Sequence, residues 1–400
     1  MTQQMNPAAE QFVLDDPEIQ KDPYPFYPIL RDQAPVLKTS FGGQPCWVLS
    51  RREDIATVLM DPKIFSSHTS PSSNLVHADP PDHSRLRKLV ARMFTRRAVS
   101  AMAEHIAQTT EELVDQIVRK GRCDIVADFA GPLTVSVIGR FLGIATGEVE
   151  RMRHLTHLAQ DYEGSIRLNR EPSPESQTAR QDLTQLAADI VRLRQFDTGG
   201  VVASLVGFVD QGDLTELECV NLLVLLIIAG HATTTNLLAN SIYMLTQRPD
   251  DLTKLRDDKS AIAPYVEEVL RTRPSFHRIT RITTEPVTLS GTEIPAGSIV
   301  RLLLASANRD PSDVESPEVF DPAREQGMHL AFGYGIHTCL GQWLARLESE
   351  TALEVFARRV STVGLIPDES LIRFSGGTFN EFGFECLPVR LSAVRPVEAN

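Results

Sequence analysis

Residues 222–245 read LLVLLIIAGHATTTNLLANSIYML, and a run this apolar has to be buried. Thr215 followed by Glu218 forms a capping box ahead of it, and Arg248–Pro249 stop it. The pattern predicts one long helix over 215–247 with the rest of the chain packed around it. Its middle is odd: Ala229, Gly230, His231 and Ala232 lead into Thr233, Thr234 and Thr235. Glycine inside a helix costs about 1 kcal/mol relative to alanine, so something is expected to approach the backbone there. The interruption also leaves the apolar run short of the roughly 20 residues that cross a bilayer, which predicts no membrane span.

Helical periodicity dominates elsewhere. Residues 84–97 put Leu86, Leu89, Val90, Met93 and Phe94 on one face and Arg85, Lys88, Arg92 and Arg96 on another. Further helices are expected at 101–119, 133–142, 147–160, 178–194, 251–257, 261–272 and 341–359. Strand signals are confined to 45–50, 286–304 and 385–392. The fold class is therefore mainly α with small β-sheets. Early and late segments are expected to share a sheet, which predicts a single domain over 1–400.

The net charge of −12 argues against a nucleic-acid partner. Five cysteines without CxxC pairs suit a reducing compartment, and MTQQMNPAAEQFVLDD has no secretory character, so the expected location is cytoplasmic.

The chemistry concentrates in HLAFGYGIHTCLGQWLARLESETALEVF, which begins at His329. Gly333 and Gly335 allow tight turns close to a flat ligand. Cys339 precedes a helix whose free amides and dipole favour a thiolate, a ligand for soft or borderline metals and for haem iron. Taken alone, it reads rather as a buried structural cysteine at a turn; the flanking pattern reverses that.

The order of Phe332, Gly333, Gly335, His337, Cys339 and Gly341 closely resembles the haem-binding loop of the cytochrome P-450 family. The resemblance runs over nearly the whole chain. Glu268 and Arg271 match the family's E-x-x-R, Arg324 stands where a third partner of that pair belongs, and ANRDP at 307–311 is another family segment. It implies the P-450 fold, with a helical lobe, a smaller β-rich lobe, the long central helix over the haem and the cysteine loop beneath it. It further implies haem b as cofactor and Cys339 as the axial ligand of its iron. HADPPDHSRLRKLV resembles the propionate-binding segment, with His83 and Arg87 at the i, i+4 spacing, and Arg281 and His337 match two further propionate positions.

By the same resemblance, Ala229 and Gly230 leave room for dioxygen, and Thr233, beside Thr234, is its hydrogen-bond donor. Ala232 departs from the pattern, because the family usually has Asp or Glu there to relay protons. Three explanations stand. Water and the threonine hydroxyls replace the acid in an ordinary monooxygenase; or the chemistry is oxidative coupling or ring closure; or the protein is driven by peroxide or put to a non-oxidative use. His231 is read as a packing or hydrogen-bonding residue.

Other pocket positions implied are Ser275, Phe276, His277, Phe379 and Asn380, with Arg278 either meeting an anionic group or facing outward. The loop over 68–78 looks shorter than usual, which suggests an open pocket unless another loop covers it. The substrate expected is a bulky natural product, free or on a carrier, hydroxylated or epoxidised in secondary metabolism. The basic stripe of Arg85, Lys88, Arg92 and Arg96 is read as a docking site for an acidic ferredoxin, itself fed by a ferredoxin reductase, or else as a solvated face.

Overall fold

The computed structural model describes residues 12–69, 74–167, 171–325, 327–367, 372–374 and 381–394. In it the capping box forms as its spacing dictates. Thr215 Oγ1 accepts from the Glu218 amide at 3.2 Å, and Glu218 Oε2 accepts from the Thr215 amide at 2.8 Å. The helix they open is Glu216–Gln247, 32 residues and so about 48 Å long. By length and apolarity it would suffice to cross a bilayer, contrary to the expectation from its interrupted sequence. Its location settles the matter instead, since 72% of its most apolar stretch is buried inside the protein.

Helices Gly131–Leu142, Pro174–Leu193, Val201–Asp210, Ile262–Thr272 and Gln342–Arg359 pack around this central helix. Their apolar stripes merge with Leu223, Ile227, Leu238 and Ile242 into one continuous core that includes Leu133, Val137, Leu183, Val266 and Leu353. The helix expected over 84–97 is divided into Asp82–Val90, a 3-10 turn Ala91–Phe94 and a short helix Arg96–Val99. Thr95 causes the break: its backbone is extended, and its hydroxyl accepts from the Ala98 amide at 3.2 Å as a new N-cap. Helices Pro17–Lys21, Phe26–Gln33, Arg52–Met60 and Val201–Asp210 had no strong signature in the sequence.

Beside the helices lies a five-stranded sheet in the order Val36–Phe41, Gln44–Leu49, Ile299–Leu303, Arg278–Thr283 and Phe65–Ser66. Early and late segments do share it: Trp47 pairs with Val300 in parallel register, and Phe65 pairs with Thr283 antiparallel. The strand Pro388–Ala393 joins a different sheet, between Arg122–Asp124 and Val360–Leu365.

Candidate active site

The segment before Gln342–Arg359 turns twice through left-handed backbone, at Gly333 (φ 70°) and Gly335 (φ 72°). A Cβ on Gly335 would stand 2.4 Å from the Leu59 carbonyl oxygen, so only glycine lets this loop lie on the end of Arg52–Met60. The Cys339 amide donates to the Phe332 carbonyl at 2.8 Å, closing the loop. The Cys339 side chain is accessible, although the surrounding protein is deep enough to push its thiol up. The amides of Gly341 and Gln342 and the charges of Arg87 and Arg346 oppose that shift without overcoming it. The helix terminus alone thus does not make a thiolate here, as its position had suggested, because burial outweighs it.

Two arginines and two histidines from three elements meet beside the cysteine. The helix Asp82–Val90 carries His83 and Arg87 one turn apart, the strand Arg278–Thr283 carries Arg281, and the 3-10 turn Gly335–His337 carries His337. The rings of His83 and His337 lie 4.1 Å apart, and His337 Nε2 bonds Ser67 Oγ at 3.0 Å. Arg87 Nη2 donates to the Thr338 carbonyl. Burial holds His83 below the ordinary histidine range, with Arg87 and Arg281 adding to the effect. His337 is driven down to about 3 by burial, then by Arg281, His83, Arg87 and His77. Asp79 is the carboxylate nearest in effect, and it is already engaged by Ser66 Oγ and the Ser67 amide. Both ring nitrogens of His83 are buried without a hydrogen-bond partner. Such a cluster is arranged for an anion. Ser67 and His77 belong to it unforeseen, since neither stands in a recognisable motif.

On the central helix Ala229 is exposed, and Leu225, Ile228, Gly230 and Thr233 are half-exposed. Thr233 Oγ1 donates to the Ala229 carbonyl at 2.8 Å, while Ser275 Oγ donates to the Thr233 carbonyl at 2.7 Å. Ser275 therefore fixes Thr233 from outside the helix. Thr234 is buried. Gly230 has a packing role that its sequence context did not announce. A Cβ there would stand 2.6 Å from Ile138 Cδ1 and 2.8 Å from Cγ1, so its small size lets the helix Gly131–Leu142 pack closely. His231 turns the same way: Nδ1 bonds Thr134 Oγ1 at 2.8 Å, and Thr134 Oγ1 bonds Thr235 Oγ1 at 2.8 Å. Its packing role is as expected. Ala232 is buried, and no acidic residue occurs between Glu218 and Asp250.

The E-x-x-R network is complete. Arg271 grips Glu268 with Nε and Nη2, both at 2.8 Å, and Arg324 Nε reaches Glu268 Oε1 at 3.1 Å. A second network beside it was not anticipated. Glu267 accepts from Arg346 Nε at 2.7 Å and Nη2 at 3.0 Å and bonds His329 Nε2 at 3.1 Å, so it ties Ile262–Thr272 to both ends of the cysteine loop.

Other expected positions fare differently. Phe276 is half-buried and forms a β-bridge with Glu381. His277 is not a pocket residue. It is 1% exposed, bonded to the hydroxyls of Tyr24 (Nε2, 3.1 Å) and Tyr27 (Nδ1, 3.2 Å), and stacked on Phe382 at 4.3 Å. Arg278 is buried, not outward, and its Nη1 donates to the Leu14 carbonyl at 3.4 Å. Phe379, Asn380 and residues 70–73 of the roof loop lie outside the described residues. Arg85 leaves the basic stripe, because it is paired to Glu218 and donates to the Asp213 carbonyl at 3.1 Å. Lys88, Arg92 and Arg96 are exposed.

The sequence profile described as Cytochrome P450 matches residues 203–362. The biotin biosynthesis cytochrome P450 of Bacillus subtilis strain 168 is 32% identical over 361 residues, 87% of this chain and 91% of that protein. The cytochrome P450 monooxygenase PikC of Streptomyces venezuelae is 33% identical over 388 residues, 92% of this chain and 91% of that one. A crystal structure of P450BioI in complex with hexadec-9Z-enoic acid ligated acyl carrier protein matches with a TM-score of 0.84 at 32% identity, covering 94% of this chain and 99% of that one. The chain belongs to the cytochrome P450 family and is a monooxygenase. The family implies a haem-thiolate iron cofactor, which when bound supplies the redox chemistry of dioxygen activation. The residues fit it: an accessible cysteine stands beside Arg87 and Arg281, which form no ion pair among the described residues, and the buried nitrogens of His83 have no hydrogen-bond partner among them.

Proposed function

We propose that this chain binds haem b through Cys339 and uses dioxygen to hydroxylate or epoxidise a bulky natural-product-like substrate in secondary metabolism. The convergence of His83, Arg87, Arg281 and His337 beside Cys339 carries this reading, because haem alone among common cofactors presents two carboxylates and an iron to such a pair of sites. His83, Arg87, Arg281 and His337 hold the propionates, with Phe332, Gly333 and Gly341 shaping the loop around the ligand. Ala229 leaves open space on the central helix, and Thr233, whose carbonyl Ser275 holds, would offer its hydroxyl to oxygen on releasing the Ala229 carbonyl. A carrier-bound substrate has a parallel in the P450BioI complex with its acyl carrier protein. Electrons come from a ferredoxin and its reductase in the cytoplasm, with Lys88 and Arg92 attracting the acidic partner.

The decisive measurement is the ferrous carbon monoxide spectrum. Wild type is expected to show the red-shifted Soret band of a thiolate-ligated haem, and Cys339→Ser to lose it. A folded, haem-loaded wild type without that band would remove Cys339 from its role.

A second reading rests on the missing acid at Ala232. With no carboxylate on the central helix beyond Glu218, oxidative coupling or ring closure, or peroxide-driven oxidation, competes with oxygen insertion. Product mass separates insertion from coupling: one gains an oxygen, the other loses two hydrogens.

A further inference from the structure

We propose that Trp343 is the apolar anchor on which a small acidic iron–sulfur protein seats. The proposal rests on the haem-thiolate reading above and deepens it by naming the point of contact. Trp343 lies four residues beyond Cys339, in the first turn of Gln342–Arg359, and is 38% exposed; what marks it is the company of other exposed apolar groups, not its own exposure. It is not alone. Met328, 61% exposed, stands at the entrance of the same loop, and Met60, 57% exposed, has its sulfur 3.7 Å from where a Gly335 Cβ would be. These three exposed apolar groups border the loop that holds the cysteine.

Charge surrounds them. Arg96 and Arg346 lie over the Trp343 ring at 5.7 and 5.5 Å. Arg346 is committed to Glu267, but Arg96 makes no ion pair among the described residues, and Lys88, Arg92 and Arg97 are exposed. Glu267 and Glu350 are the acids that oppose them. On a chain of net charge −12, a basic face with an apolar centre marks a partner that is acidic and carries its own apolar patch. The contact also leads inward. Arg346 covers the Phe332 ring at 4.5 Å, and the Phe332 carbonyl holds the Cys339 amide. A one-electron donor seated on Trp343 is thereby placed against the loop that bears the iron ligand.

The test uses holoenzyme and a small acidic ferredoxin that reduces the wild type. In Trp343→Ala the ferredoxin concentration giving half-maximal reduction is expected to rise roughly tenfold, as for a central hot-spot aromatic. The limiting rate at saturating ferredoxin should hold, and Trp343→Phe should recover most of the loss. Haem content and the carbon monoxide spectrum after dithionite reduction show that each variant is folded. An unchanged half-saturation in Trp343→Ala overturns the proposal. The double variant Lys88→Glu/Arg92→Glu tells the two levels apart. If it weakens reduction while Trp343→Ala does not, only the anchor falls; if neither does, docking on this face falls as well. Should Trp343→Ala instead convert a sedimenting dimer into a monomer, the occupant is a second copy of this chain and the proposal is wrong.

Discussion

A single missing side chain at Gly230 decides how the central helix meets its neighbour. With Ile138 Cγ1 and Cδ1 both inside the reach of a Cβ, the collision is not relieved by swinging one terminal methyl group. Gly230→Ala should therefore destabilise the protein by about 1–3 kcal/mol despite alanine's better helix propensity. Trimming the other side, as Ile138→Ala, should make the same substitution far less harmful in a thermal double-mutant cycle. Had the glycine served only to admit oxygen, the two sites would not couple. His83 and Arg87, or Glu268 and Arg271, could be paired from the sequence because helical spacing brings them together. Ile138 lies far from Gly230 along the chain, and no local pattern couples them.

At the level of elements, the cysteine loop is fastened by ion pairs that sequence motifs revealed only in half. Glu268 belongs to a familiar spacing, whereas its neighbour Glu267 looks like an ordinary surface acid and points to His329 and Arg346. Burial raises the Glu267 carboxyl, but hydrogen bonds from His329 and Arg346 and their charges bring it down to about 2. A carboxyl depressed by folding stabilises fully above its unfolded value near 4.5, and that contribution fades as pH falls toward 2. Glu267→Gln should therefore cost about 1–3 kcal/mol at pH 7 in urea unfolding, and the gap to wild type should narrow steadily below pH 4.5. A gap independent of pH would mean that the pair contributes shape rather than charge. Long helices were legible from their stripes and caps. The break at Thr95 was not, because a threonine cap inside an amphipathic stretch leaves the apolar spacing intact.

Across the whole molecule, distant segments are knotted by a cluster no motif announces. Tyr24 from the turn after the first helix, Tyr27 from the second, His277 after the ion-pair helix and Phe382 near the C-terminus close on one another. Arg273 and Arg309 lie over the Tyr24 ring at 5.7 and 4.4 Å. Burial, then Arg278, Arg273 and Arg309, holds His277 well below the histidine range, so it is neutral in the fold. The unfolded chain takes up that proton below about pH 6.5, so the stability His277 allows is complete above that pH and declines as pH drops. Between pH 6.5 and 5 the unfolding free energy should fall less steeply in His277→Gln, by about 1.4 kcal/mol per pH unit. Equal slopes would show that the imidazole titrates in the folded protein as it does in the unfolded chain. The central helix is clasped in a comparable way, by Thr134 through His231 and Thr235 on its back and by Ser275 through the Thr233 carbonyl on its front. Its azimuth is thus set by side chains other than the exposed Ala229 and the half-exposed Leu225. The side chains of Leu225 and Ala229 take no part in either clasp, so on the proposed haem reading a lineage can vary them to change what is accepted without altering how the helix stands.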